Sequence, residues 1–163
     1  MTSWTDFTTG APRISTIFRR RHAATGKLCL LATVRADGSP RISPIEPSVF
    51  EDRLWLIGMP DTTKFHDLHR DPRFCLHTAT VDTQVGDGDA KLFGSVSDVR
   101  DTDLHQRFAQ DLFDRSGFDL RGEVFGHFYE AHVTGASAVE LVDGHMEVTI
   151  WKPGEAERVV RKH

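Results

Sequence analysis

The fold is decided between residues 27 and 45, where the chain reads Lys27-Leu-Cys-Leu-Leu-Ala-Thr-Val-Arg-Ala-Asp-Gly-Ser-Pro-Arg-Ile-Ser-Pro-Ile45. Residues 27–35 are a nearly continuous apolar run, which is typical of a strand buried on both faces. Asp37-Gly38 is a signal for a tight turn, and Arg41 to Ile45 follows it as the returning strand. The stretch therefore predicts a β-hairpin whose first strand is buried on both faces.

The second strand of this hairpin carries several prolines. Pro40, Pro44 and Pro47 have no N–H group to give to a ladder, so the strand is expected to be bulged or to lie at a sheet edge. Its backbone groups then remain available to something other than a neighbouring strand. We expect a ligand to approach there.

The rest of the chain predicts more strands and a few short helices. The helices are expected from Pro12 to a stop at Gly26, from about Pro60 to His69, and from Asp103 to Arg115; the strands at 53–59, 73–80, 90–96, 136–141 and 146–151. A closed antiparallel barrel accommodates such a series because closure removes exposed sheet edges. The prediction is one β-dominated α+β domain over residues 1–163.

Composition narrows the class of partner. Lys and Arg number 20 against 24 Asp and Glu, a net charge of −4 with no charged block, which gives no reason to expect nucleic acid or an anionic membrane. No secretory signal precedes Asp6 and no apolar run is long enough for a membrane span, so we expect a cytoplasmic protein. Cys29 and Cys75 each lie in an apolar run, and their spacing matches no metal-binding or redox motif. Both are therefore expected to be small buried side chains.

Thr62-Thr63-Lys64 is the clearest candidate for a binding site. It opens a short helix, and the first turn of a helix presents unpaired N–H groups and a positive dipole end to an anion. Two hydroxyls and an ammonium at that position suit a phosphate. The alternative is an ordinary N-cap at Asp61 or Thr62 with Lys64 in solvent.

Several segments, in this order, resemble the pyridoxamine 5′-phosphate oxidase-like, flavin-binding split-barrel superfamily. They are Leu31-Ala-Thr-Val34, Asp37-Gly-Ser-Pro-Arg-Ile-Ser-Pro44, Leu54-Trp-Leu56, Lys64, Asp67-Leu-His-Arg-Asp-Pro72 and, near the end, Trp151-Lys-Pro-Gly154. The resemblance is good over residues 27–96. It implies a six-stranded antiparallel split β-barrel with a few short helices.

The resemblance also implies a homodimer that holds FMN, or the deazaflavin coenzyme F-420, in clefts between its subunits. Hydride or electrons would pass to a small organic substrate, and the cofactor would carry that chemistry. The implied cofactor-binding residues are Arg41, Ile42, Ser43, Pro44 and Ile45 along the strand, Met59 at the ring edge, Thr62, Thr63 and Lys64 at the phosphate, and Trp151 from the partner subunit. Trp151 has a second interpretation, as an interface aromatic without a ligand. No catalytic residue and no metal ligand follow from the resemblance.

Two departures from the family pattern bear on activity. Glu46 follows Pro44 and Ile45 where many relatives keep an apolar or aromatic residue, which favours the alternative of a non-catalytic flavin or haem binding protein. The tail from Lys152 to His163 differs from that of the true vitamin B6 phosphate oxidases, so we do not expect that reaction.

Histidines give two further alternatives. His127 or His132 is a candidate haem ligand, as in some split-barrel relatives. His66 and His69 have a spacing that places ligands on one helix face, but no further ligand completes a metal set.

Overall fold

A computed structural model describes residues 1–80 and 82–163 and has its elements arranged around one antiparallel sheet. The strands are β1 (Cys29–Val34), β2 (Pro40–Ile45), β3 (Ser48–Phe50), β4 (Arg53–Leu56), β5 (Arg73–Thr78), β6 (Asp89–Asp98), β7 (Tyr129–Val142), β8 (His145–Trp151) and β9 (Arg158–Lys162). The helices are α1 (Trp4–Gly10), α2 (Pro12–Ala24), α3 (Thr63–Arg70) and α4 (Thr102–Ser116). The β-dominated α+β class is confirmed.

Strand order runs β2-β1-β5-β6-β7-β4-β3, with β8 on β7 and β9 on β8. Within the described residues the sheet has nine strands, and no pairing of β2 with β3 closes it. The expected closed ladder of six strands is therefore not what this part of the chain forms. The sequence pattern missed β3 and β9, which are too short or too charged to show an apolar alternation.

The predicted hairpin is present, with Gly38 in the turn at a φ of 85° that favours glycine. Its second strand, β2, pairs only with β1, so it lies at a sheet edge as its prolines predicted. The expectation that β1 is buried on both faces is wrong. Leu30 is 40% exposed because no helix covers that side of the sheet.

The main core is built on the other side of the sheet. Opposed residues of five neighbouring strands form one buried row, Leu31, Leu76, Leu92, Ala136 and Trp151. Residues of α1 and α2 pack onto this row. A second cluster forms around Trp55, which α4 covers with Leu104 and Phe108. No helix of the described residues is long and apolar enough to cross a membrane.

Helix α1 covers Trp151. The indole lies 5.6 Å from the Phe7 ring, between centroids, and is only 3% exposed. Its Nε1 is buried without a hydrogen-bond partner. A Cβ at Gly10 would lie 2.8 Å from that nitrogen, so the close approach of α1 to the indole requires a glycine there. The sequence did not predict α1, because seven residues are too few for a clear helical period.

Helix α3 is fixed to the first hairpin through the buried carboxylate of Asp67. Its Oδ2 accepts from Thr33 Oγ1 of β1 at 2.7 Å and from Arg41 Nε of β2 at 2.6 Å. Its Oδ1 accepts from Arg70 at 3.1 Å. Burial favours the neutral acid, but the hydrogen bonds from Arg41, Thr33 and Arg70 outweigh it, so the pKa of Asp67 lies below its usual value.

Gly10→Ala tests the packing of α1 on Trp151. The added methyl group has no space against a buried indole, so we expect a loss of about 1–3 kcal/mol in the free energy of unfolding, measured in urea. Gly126→Ala is the matched control, since a Cβ there meets nothing within 4 Å. Equal stability of the two variants would contradict the described contact.

Asp67→Asn tests the link between α3 and the hairpin. The amide leaves partly buried arginines without a counter-charge, and we expect a loss of about 2–4 kcal/mol at pH 7. Because the folded-state pKa of Asp67 is depressed, its contribution is present above the unfolded pKa of about 4 and is lost as the pH falls below it. The stability difference between wild type and variant should therefore shrink below about pH 4. Asp111→Asn, which removes a surface pair with Arg115, is the control and should cost less than about 0.5 kcal/mol.

Candidate functional site

The hairpin and the start of α3 meet at one corner of the molecule. Arg41 reaches this corner from β2 and is held there through its Nε by Asp67. Its two Nη atoms make no hydrogen bond to any part of the chain that the structure describes. The guanidinium is thus fixed in orientation while most of its donors stay available. Arg41 and Arg70 share the single carboxylate of Asp67, which leaves one positive charge in excess.

The first turn of α3 supplies further donors beside Arg41. Thr62 is the N-cap residue, but its side chain makes no capping hydrogen bond, and its Oγ1 is buried without a partner. A buried hydroxyl of this kind costs free energy unless something satisfies it. Thr63 is exposed four residues before Asp67, and so lies on the same helix face. The Lys64 ammonium makes no ion pair in residues 1–80 or 82–163 and lies 5.3 Å from the Phe65 ring centroid.

Apolar side chains near this corner are unusually exposed. Ile42 is 70% and Met59 77% exposed, and Pro44 is exposed beside them on β2. Alternation along β2 puts Ile42 and Pro44 on the face opposite to Arg41 and Ser43. The edge strand therefore offers an apolar face on one side and a polar face on the other.

Two of the predicted residues do not come to this surface. Ile45 is buried in the main core at the end of β2. Trp151 is buried under α1 of its own protomer, in contact with Phe7. The Arg41–Asp67 contact joins β2 to α3, whose start carries Thr62, Thr63 and Lys64. Ser43 lies on the same face of β2 as Arg41, and Ile42 and Pro44 lie on the opposite face.

A cluster of three rings, which sequence reasoning did not predict, borders the start of α3. The His127 ring lies 4.1 Å from Phe65 and 5.4 Å from Tyr129, between centroids. Burial lowers the pKa of His127 and raises the pKa of Tyr129. Both side chains are therefore mainly uncharged at neutral pH. The contact between Phe65 and His127 joins residues far apart in sequence, so no local pattern predicts it.

The other candidates occupy different settings. His132 is buried, with its Nε2 2.7 Å from Ser97 Oγ, whereas His66 and His69 are exposed on α3. No group of three potential metal ligands occurs in the described residues. Glu46 is exposed and does not enter the protomer's core.

Several basic side chains away from this corner, and Cys29, have structural roles. Arg20 and Arg21 hold the loop after β5 through Asp87, and Lys91 lies 3.4 Å from Asp89. Burial raises the pKa of the Cys29 thiol to about 12, so this cysteine is inert at neutral pH.

These residues suit the recognition of a phosphate group next to a planar apolar ring. A phosphate binds to charged donors such as Arg41 and Lys64 and to the N–H groups at the start of a helix such as α3. The unsatisfied hydroxyl of Thr62 is a further donor for it. Exposed Met59, three residues before Thr62, offers an apolar contact to a ring system, whereas Ile42 and Pro44 lie on the face of β2 opposite to Arg41.

Solved structures of several proteins share the fold at low sequence identity. PhzG from Burkholderia lata 383, in complex with tetrahydrophenazine-1-carboxylic acid, is 11% identical over 96% of both chains, with a TM-score of 0.64. A pyridoxamine 5′-phosphate oxidase-related, FMN binding protein from Nostoc punctiforme is 13% identical over 94% of this chain and 96% of its own, with a TM-score of 0.64. HutZ, the haem storage protein from Vibrio cholerae, is 17% identical over 78% of this chain and 92% of its own, with a TM-score of 0.57.

Similarity at these identities establishes the fold and leaves the ligand open. A comparison with curated protein sequences finds no match. A sequence profile of the family described as pyridoxamine 5′-phosphate oxidase, in contrast, matches residues 21–138, which include the hairpin, α3, α4 and β7 up to Ala138. The chain therefore belongs to the pyridoxamine 5′-phosphate oxidase family.

Proposed function

We propose that this protein binds a phosphate-bearing flavin, FMN or the deazaflavin coenzyme F-420, and serves as an oxidoreductase for a small organic substrate. The observation that carries the proposal is the corner where Arg41, anchored through Nε by Asp67, keeps its Nη donors free. The unsatisfied Thr62 hydroxyl and the unpaired Lys64 ammonium lie at the same helix start. FMN binding by the Nostoc relative and membership of the family are in agreement with it.

The chain's own residues have separable tasks in this proposal. Arg41, Thr62, Thr63 and Lys64 bind the phosphate, and Asp67 positions Arg41 for it. Ser43 and Met59 contact the sugar chain or ring system. Ile42 and Pro44 lie on the opposite face of β2, which is the surface proposed below for a second copy, and they stay predictions as cofactor contacts. A bound flavin or deazaflavin would supply the acceptor and donor of hydride or electrons. Ile45 and Trp151, both buried, stay predictions as cofactor-binding residues.

FMN and F-420 both end their sugar chain in a phosphate, so the corner serves either. The extra acidic tail of F-420 requires additional cations. Arg20, Arg21 and Lys91 are engaged with Asp87 or Asp89, whereas Arg19 is exposed and makes no ion pair within the described residues. Arg19 is therefore the member of this group that could meet the tail, and the proposal covers both cofactors.

The homodimer is a further part of the proposal, and the uncovered face of the sheet supports it. Register places Ile42, Ala32, Cys75 and Phe93 in one row across four neighbouring strands, on the side without helices. Leu30 lies on the same face, one row away. A contiguous apolar patch of this kind is typical of a surface that another chain covers. We infer that a second copy covers it, and that residues 1–163 act as one split-barrel domain.

Haem binding is a second candidate, favoured by one observation. Neither ring nitrogen of His127 has a hydrogen-bond partner in the described residues, and neither is buried, so an iron ligand is available there. His132 lacks this availability because Ser97 occupies its Nε2.

Lys64→Ala tests the phosphate corner. We expect flavin binding to weaken by about 1.5–3 kcal/mol, because a charge-assisted hydrogen bond is lost. The measurement is a fluorescence titration with FMN and with F-420, after an absorbance spectrum of the purified protein. Lys162→Ala, an exposed lysine on β9, is the control and should bind as wild type does. Unchanged affinity in Lys64→Ala would remove Lys64 from the site, and a Soret band would favour the haem protein instead.

Phe93→Asp tests the proposed dimer face. Phe93 is 40% exposed in the middle of the apolar row, so a carboxylate there should prevent association. Light scattering after gel filtration should give twice the chain mass of 18.3 kDa for wild type and a monomer for the variant. Val124→Asp, at an exposed loop residue away from the sheet, should remain a dimer. A monomeric wild type would contradict the proposal.

A further inference from the structure

Asp61 brings a second carboxylate to the corner that carries the proposed phosphate site. It directly precedes Thr62, the N-cap residue of α3. Its side chain is exposed and makes no hydrogen bond or ion pair within residues 1–80 or 82–163. Asp71, at the other end of α3, is by contrast held by Arg73 at 2.6 Å. The carboxylate of Asp61 is therefore not balanced by a cation of its own.

The backbone at Asp61 is left-handed, with a φ of 60°. Glycine adopts this conformation without strain, and asparagine adopts it as readily as aspartate does. The turn before α3 therefore accounts for a residue of this group, but it does not require a carboxylate. Of the three residue types, aspartate is the least favourable one beside a group that binds anions. Its charge is thus a property that the backbone does not explain.

The charge of Asp61 acts on the first turn of α3. The His127 ring packs on Phe65 of that turn, at 4.1 Å between centroids. Burial lowers the pKa of His127, and the nearby charges of Asp98 and Asp61 act in the opposite direction. The Lys64 ammonium lies over the same Phe65 ring, at 5.3 Å from its centroid. The carboxylate and the ammonium therefore influence the same surface.

A count of charges gives the corner a preferred ligand charge. Three positive charges come from Arg41, Arg70 and Lys64. Two negative charges come from Asp67 and Asp61, which leaves an excess of one positive charge. A phosphate monoester carries about −1.5 to −2 at neutral pH, so one phosphate nearly balances this excess. A second phosphate would leave the corner clearly negative, and the charge of Asp61 contributes directly to that repulsion.

We propose that Asp61 is a specificity-determining residue, which admits one phosphate group to the corner and disfavours a diphosphate. The inference rests on the proposed function for the identity of the natural ligand, since the flavins named there carry one phosphate. The charge discrimination itself is a property of the corner and does not require a flavin. A ligand with two adjacent phosphates, such as a dinucleotide with a pyrophosphate bridge, binds poorly for this reason.

Inorganic phosphate and pyrophosphate are the probes, and Asp61→Asn is the variant. Asparagine keeps the left-handed turn and removes only the charge. Binding is followed at low salt through the backbone NMR resonances of Thr63 and Lys64. The repulsion that the variant removes grows with the charge of the ligand. We therefore expect binding to strengthen by about threefold for phosphate and by about tenfold for pyrophosphate.

Asp143→Asn is the matched control, because Asp143 is also exposed and left-handed. It has a φ of 51° in the turn between β7 and β8. This variant should leave both affinities unchanged. In about 1 M salt the effect of Asp61→Asn should disappear, since salt screens interactions between exposed charges. A carboxylate that served only the helix dipole would change the stability of α3 and leave the ratio of the two affinities as in wild type.

The outcomes separate this inference from the proposed function. A pyrophosphate affinity that rises more than the phosphate affinity in Asp61→Asn supports the inference, whether or not FMN binds. An equal or smaller rise, or no binding of either probe to wild type and variant, would overturn it. FMN binding together with an unchanged ratio would leave the proposed function standing without this role of Asp61. The predicted ratio without FMN binding would contradict the proposed function alone.

Discussion

One buried carboxylate, that of Asp67, orients the polar corner of this protein. It joins β1, β2 and α3 through Thr33, Arg41 and Arg70, and so fixes the helix start against the edge strand. A lone carboxylate in this position would be expensive to bury, and its three donors offset that cost. These contacts use only the Nε of Arg41, so its two Nη groups can donate to another partner. Structural stability and the proposed ligand recognition therefore depend on the same group.

The electrostatic consequence follows from counting charges at the corner. Arg41, Arg70 and Lys64 carry three positive charges against the carboxylates of Asp67 and of Asp61, which precedes the N-cap, so one positive charge remains in excess. The protein as a whole carries a net charge of −4, so this positive potential is local. A locally positive helix start in an acidic protein favours a compact anion over a polyanionic surface such as nucleic acid.

How much of this was visible in the sequence depends on the range of each interaction. The hairpin, α2, α3 and the edge position of β2 follow from Asp37-Gly38, from capping residues and from prolines, all of which act locally. The burial of Trp151 under α1 joins residues far apart in sequence. The family resemblance therefore implied a cofactor role for Trp151, and its aromatic character favoured an interface. Asp67 is the clearest limit, since an aspartate among polar helix residues gives no sign that Thr33 and Arg41 will surround it.

The central claim is that this corner binds the phosphate of a flavin. Titration with FMN and with riboflavin, which differ only in the phosphate, tests it most directly. The same comparison is made between F-420 and its deazaflavin core without the phosphate. We predict that the phosphate-bearing form binds about tenfold or more tightly, because Arg41 and Lys64 make charge-assisted hydrogen bonds only to it. Equal affinities within both pairs, or no binding of either phosphate form, would contradict the account.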